Sequence, residues 1–128
     1  MSVELTMLVY AVILTIVQML VGTTGTMMQL GLPRLAGNRD GLPEITGWAG
    51  RAQRAHRNML ENLVLFGALV MAVQFAGIND ATTALGTQMF FWSRVAYAVL
   101  YVAGVPWART LAWAASMVGL VLLLISLI

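Results

Sequence analysis

Four stretches of this chain are long and largely apolar, and nothing else constrains its fold as strongly. The first runs from about Leu5 to Leu30 and holds no charged residue. The others run from about Ala49 to Ala76, Thr82 to Ala103 and Trp107 to Ile128. A hydrocarbon core about 30 Å thick needs roughly 20 residues of helix. Backbone in lipid must satisfy its own hydrogen bonds, which leaves helices or closed barrels. The period-2 alternation of a membrane barrel is absent. The expectation is therefore an all-α integral membrane protein, a single domain over residues 1–128 built as a four-transmembrane-helix bundle.

Composition agrees. Hydrophobic residues make up 60% of the chain and charged residues 9%, against about a quarter charged in soluble domains. The net charge is +2, and every basic residue is an arginine. So small an excess, without a basic stripe on a soluble face, gives no case for nucleic acid. There is no cysteine and one histidine, His56. That removes disulfides, thiolate metal sites, multi-histidine metal sites and a cysteine nucleophile, so any thiol chemistry needs a thiol brought by the substrate. The start, "MSVELTMLVY", lacks the positive region of a signal peptide, so the first apolar segment is expected to be an uncleaved span.

The connections differ in kind. "LPRLAGNRDGLPEITGWAG", rich in proline and glycine, has the composition of a true loop, whereas "GINDA" and "GVP" are tight turns. Arg34, Arg39, Arg51, Arg54 and Arg57 cluster around the first connection, and Arg109 follows the third. Glu4 and Asp80 lie at the opposite end. Basic residues mark the cytoplasmic side, so the first and third loops are expected there. The absence of lysine and the alanine-rich helices suggest a bacterial chain, hence an inner-membrane location. Gln18 and Gln74 are expected to form hydrogen bonds between helices.

The second apolar segment opens with "RAQRAHRNMLEN". With Arg54 as reference and 100° per residue, Arg51, Arg57, Asn58, Glu61 and Asn62 all fall within about 80° of it, while His56 lies about 160° away. The third segment repeats the theme: Phe90, Tyr97 and Tyr101 share a face with Arg94. Taken singly, Arg51 is open to reading as a snorkelling anchor, Tyr101 as interfacial belt, and Arg57 with Glu61 as an i,i+4 pair. Glu61 resists that treatment, because charges at membrane depth are expensive and face a bundle interior or wet cavity. Arginines bind carboxylates through two parallel bonds, a glutamate accepts from an ammonium, and asparagine serves either. The set suits a zwitterion with more than one carboxylate, such as glutathione, which also carries the missing thiol.

The motif "RAQRAHRNMLEN", followed by "FFWSRVAYAVLYVAGVPWART", resembles the MAPEG family, the membrane-associated proteins in eicosanoid and glutathione metabolism. The likeness spans essentially the whole chain, and "RAHRN" is most similar to the prostaglandin E synthase branch. The resemblance implies a homotrimer with glutathione, a cosubstrate, bound between subunits near the cytoplasmic side. It implies that Arg54, Arg57, Asn58 and Glu61 hold the glutathione backbone, with Tyr97 and Tyr101 contacting it from the third segment. Arg109 takes the position of the arginine that stabilises the thiolate, as the catalytic residue, and Thr110 falls where that branch has a serine. Arg51 belongs to the motif as ligand or as structure. Arg34 lies near a family ligand arginine at the end of the first helix, and Asn62 replaces a tyrosine found in another branch. No metal is implied. The implied activity is glutathione S-transfer, peroxide reduction or isomerisation on a lipophilic electrophile arriving through membrane lipid.

Two other classes share the gross pattern. A non-enzymatic lipid-presenting protein of the same fold would lack the ligand motif and Arg109, which are present here. A small multidrug transporter needs a membrane-embedded carboxylate in its first helix, where this chain offers only Glu4 at the extreme end.

Overall fold

The computed structural model describes residues 1–128. It contains five helices and no strand: α1 (Val3–Leu30), α2 (Leu32–Ala36), α3 (Gly47–Phe75), α4 (Ala81–Ala103) and α5 (Pro106–Leu127). α2 is a short helix inside the connection that composition marks as pure loop. Pro33 stands in its first turn, where a missing N–H costs nothing.

Local chemistry sets the ends. Ser2 caps α1 by accepting from the Leu5 N–H. Asp80 and Thr83 cap each other reciprocally at the start of α4, satisfying amides that would otherwise lack partners. Gly104 ends α4 in the left-handed region, with φ +82°, where a side chain would be strained. Pro106 then starts α5 at once.

α1, α3 and α5 are each long and apolar enough to cross a membrane; α4 is not among them. Three of the four expected spans meet that measure, and the fourth expected segment forms a helix, α4, over nearly the expected residues. Thr82, Thr83, Thr87, Gln88, Ser93 and Arg94 dilute the apolarity of α4. Position compensates: α4 packs against α1, α3 and α5, whereas α1 and α5 do not meet. The polar residues Thr83, Thr87 and Arg94 of α4 turn into this packing, while Leu85, Trp92 and Val99 stay exposed.

The buried stripe of α1 is Glu4, Met7, Ala11, Thr15, Gln18, Gly22, Gly25 and Thr26, spaced at helical period. Its outer face carries Ile13, Leu20 and Met28. Small and polar residues point inward and aliphatic ones outward, the reverse of a soluble helix. Lipid offers no hydrophobic force between helices, so close packing and polar contacts must join them. Thr83 donates to the buried Glu4 carboxylate at 2.6 Å, tying α1 to α4. Ser2 donates to Gln74 at 2.9 Å, so Gln74 does bridge elements. Gln18 does not fulfil the same expectation, because its Oε1 has no hydrogen-bond partner. Between α3 and α4, Phe66 and Phe90 stack with ring centroids 4.0 Å apart.

Backbones come very close where α4 meets α5. A Cβ on Gly119 would lie 2.6 Å from the Gly86 carbonyl oxygen and 2.9 Å from the Phe90 nitrogen. Gly67, by contrast, would meet only a Leu8 methyl at 3.8 Å. Gly119→Ala should therefore lower the melting temperature in detergent, by an overpacking cost of about 1–3 kcal/mol. Gly67→Ala should be neutral or raise it, since alanine is favoured over glycine within a helix.

Candidate functional site

The end of the molecule that holds the first and third connections carries six of the seven arginines. There α3, α4 and α5 converge on a cleft of about 250 Å³ lined by Asn58, Tyr97, Tyr101, Arg109, Thr110 and Trp113. Each helix contributes through its period. Asn58 comes from α3, Tyr97 and Tyr101 lie one turn apart on α4, and Arg109, Thr110 and Trp113 occupy the first turns of α5. The abrupt α4–α5 turn at Gly104 and Pro106 brings Arg109 back over Tyr101.

A ladder of aromatic and cationic groups runs from the interior to the cleft. The Arg94 guanidinium lies 4.2 Å from the centre of the Tyr97 ring. Tyr97 meets Tyr101 edge-on at 5.5 Å. The Arg109 guanidinium lies 4.3 Å from the centre of the Tyr101 ring. Such contacts hold a cation over an aromatic face and strengthen with desolvation. Arg54 closes the rim, its Nε donating to the Tyr101 hydroxyl at 3.3 Å. Thr110 turns its hydroxyl back to the Pro106 carbonyl at 3.1 Å.

The cleft is electropositive: two arginines reach it and no carboxylate lines it. Its donors suit an anion, and Trp113 supplies an apolar wall.

Arg54, Arg57 and Glu61 are exposed on the outer face of α3. Glu61 forms no salt bridge with Arg57, so the simple i,i+4 pair is not made. Below them on the same helix come Val64, 71% exposed, and Leu65. An outward face bearing unpaired charges in a membrane helix is suited to meet another protein surface rather than lipid.

A family model described as the MAPEG family matches residues 3–128. The chain belongs to the MAPEG family. It is accordingly an integral membrane protein of a family that includes glutathione transferases and related enzymes. No curated protein and no solved structure matches it.

In this MAPEG chain the fold brings together Asn58, Tyr97, Tyr101, Arg109 and Thr110, with Arg54 at the rim. It separates three others. Glu61 stays on the outer face. Arg57 lines a second cleft, of about 340 Å³, on the α1 side of α3, together with Arg39, Gln53 and His56. Arg51 donates through Nε to the Val102 carbonyl at 2.9 Å and packs against Gly104, so it fastens the end of α4. Sequence reasoning left out two residues: Trp113, which walls the cleft, and Arg94, which was visible only as the centre of a stripe. Arg94 is 1% exposed and bonds Asn58. A lone arginine within an otherwise apolar segment was the available signal.

Arg51→Met should lower the melting temperature, because a partly buried hydrogen bond to a charged group contributes about 1.5–3 kcal/mol. Arg54→Met, which removes only an exposed contact, should change it by about 0.5 kcal/mol or less. Differential scanning fluorimetry of the two variants separates these roles.

Proposed function

We propose that this protein is a membrane-embedded glutathione-dependent transferase, with peroxidase or isomerase chemistry open to the same site. The observation that carries the reading is the convergence of Asn58, Tyr97, Tyr101, Arg109 and Thr110 on one cleft, with Arg54 beside it. These residues include every motif position on α4 and α5 that the family likeness assigns to glutathione.

The chemistry follows from the donors. A cysteine-type thiol has a pKa of about 8.5, so little of it is thiolate at neutral pH. The Arg109 guanidinium favours the anion, the more so in a partly dry cleft. The thiolate is the nucleophile. It forms the new carbon–sulfur bond while the leaving group departs with its electron pair. Arg54 and Asn58 offer donors to ligand carboxylates. Glu61, outside this cleft on the outer face of α3, offers its acceptor to a ligand ammonium where a neighbouring copy closes over that face. Lipophilic electrophiles concentrate in the bilayer and enter from the apolar side of the cleft.

Assembly as a homotrimer completes the proposal. Arg54, Arg57 and Glu61, which form no salt bridge, then face a neighbouring copy instead of lipid. A ring of heterologous contacts sets the α1-side cleft of one copy against the Arg109 cleft of the next. The arginine-rich end faces the cytoplasm, and the membrane is a bacterial inner membrane. Native mass spectrometry from detergent should give three copies. A monomer that still binds glutathione would remove the interface from the proposal.

The direct test is the near-ultraviolet absorbance of glutathione thiolate, titrated with pH in the presence of protein. Bound glutathione should ionise at lower pH than free glutathione in the wild type. In Arg109→Ala the displacement should shrink while glutathione remains bound, each pKa unit lost being about 1.4 kcal/mol of thiolate stabilisation. Identical curves for the two proteins would move activation to another residue.

A further inference from the structure

Arg94 is a cation buried inside the protein, 1% exposed, at the middle of α4. It has no acidic partner. Its Nη2 donates to Asn58 Oδ1 at 2.8 Å, and its Nε and Nη1 have no hydrogen-bond partner. A buried charge without a counterion is costly, and the apolar face of Tyr97 recovers only part of that cost. Arg94 does not line the Arg109 cleft. Any effect it has on the cleft must pass through a residue that does.

Asn58 is that residue. It lines the cleft and meets Arg94 behind it. Arginine carries donors only, so the Asn58 atom facing it has to be the oxygen. Asn62 adds a second donor to the same oxygen at 3.1 Å and a bond to the Asn58 backbone carbonyl at 2.9 Å. With its oxygen held inward twice, Asn58 has its amide NH2 left for the cleft. Free rotation would let the amide offer oxygen or nitrogen in turn, and an oxygen there would repel an anion. The lock removes that choice, so the cleft presents donors.

We infer that Arg94 is a positioning residue that fixes the Asn58 amide with its NH2 toward the cleft and so sets the site's preference for anionic ligand groups. The inference rests on the reading of that cleft as the glutathione site. The charge-assisted bond from Arg94 is the stronger of the two that hold the oxygen. Asn62 alone leaves the amide less firmly held.

A double-mutant cycle on the full-length protein in detergent tests this, with glutathione affinity read by calorimetry. Arg94→Met is suitable because an apolar side chain of similar length commonly replaces a buried charge without loss of fold. It should weaken binding on the order of tenfold, the loss expected for one misplaced bond to a charged group. Asn58→Ala should weaken binding at least as much. The double variant should bind like Asn58→Ala alone, because Arg94 acts through Asn58. Losses that multiply would overturn the inference. Should Arg94→Met fail to assemble, Arg94→Lys enters the same cycle, keeping the charge without the guanidinium fork. A ligand-free reading comes from the NMR signal of the Asn58 side-chain amide in protein with isotope-labelled asparagine, assigned by its loss in Asn58→Ala. That signal should shift in Arg94→Met, and an unmoved signal would overturn the inference whatever glutathione does. Absence of glutathione binding to the wild type would instead defeat the proposed function, and the amide signal would still decide the role of Arg94.

Discussion

Lipid gives these helices no reason to hide apolar surface from it, and the architecture follows from that single fact. In water, burying a leucine drives association; between lipid tails it gains almost nothing. What remains is close contact and polar pairing. The α4–α5 seam at Gly86 and Gly119 uses the first, with backbones so near that a methyl group would collide. The Glu4–Thr83 pair uses the second. Both act on α4, which like α3 touches the other three long helices.

The same logic places the polar groups of the cleft. Arg94 could not face lipid without large cost, and it and Tyr97 lie on the buried face of α4, away from the exposed Trp92 and Val99. Once there, Arg94 and Tyr97 order what lies above them. Tyr97 supports Tyr101, Tyr101 carries Arg109, and Arg54 ties to the same hydroxyl. The cleft is therefore an extension of the packed interior, and its cations are held by aromatic faces rather than by acids. A cleft whose arginines are not neutralised by protein carboxylates keeps its field for an incoming anion.

Glu4 has a different status. It is buried in the first helix, where a transporter would carry its working carboxylate, yet it sits in the first turn and accepts from Thr83. Its use is structural, joining α1 to α4 at the end remote from the arginines.

Much of this was legible in the residues. Runs of apolar residues dictate helices because a lipid-exposed backbone must bond to itself, and helical period alone put Arg54, Asn58 and Glu61 on one side of α3 and His56 on the other. The grouping of α4 residues around Arg94 followed from the same period. Tertiary structure decided what period cannot reach, namely which neighbour each face meets. The angular count gave Arg51, Arg54 and Arg57 one shared face, yet the first fastens Val102, the second reaches Tyr101 and the third lines another cleft. Long flexible side chains choose among partners that packing supplies. Nor does sequence show that Arg94 meets Asn58, thirty-six positions away, because that contact exists only once α3 and α4 lie side by side. Residue type and spacing determined the helices and their polar faces; the packing of one helix on another decided which polar groups work together.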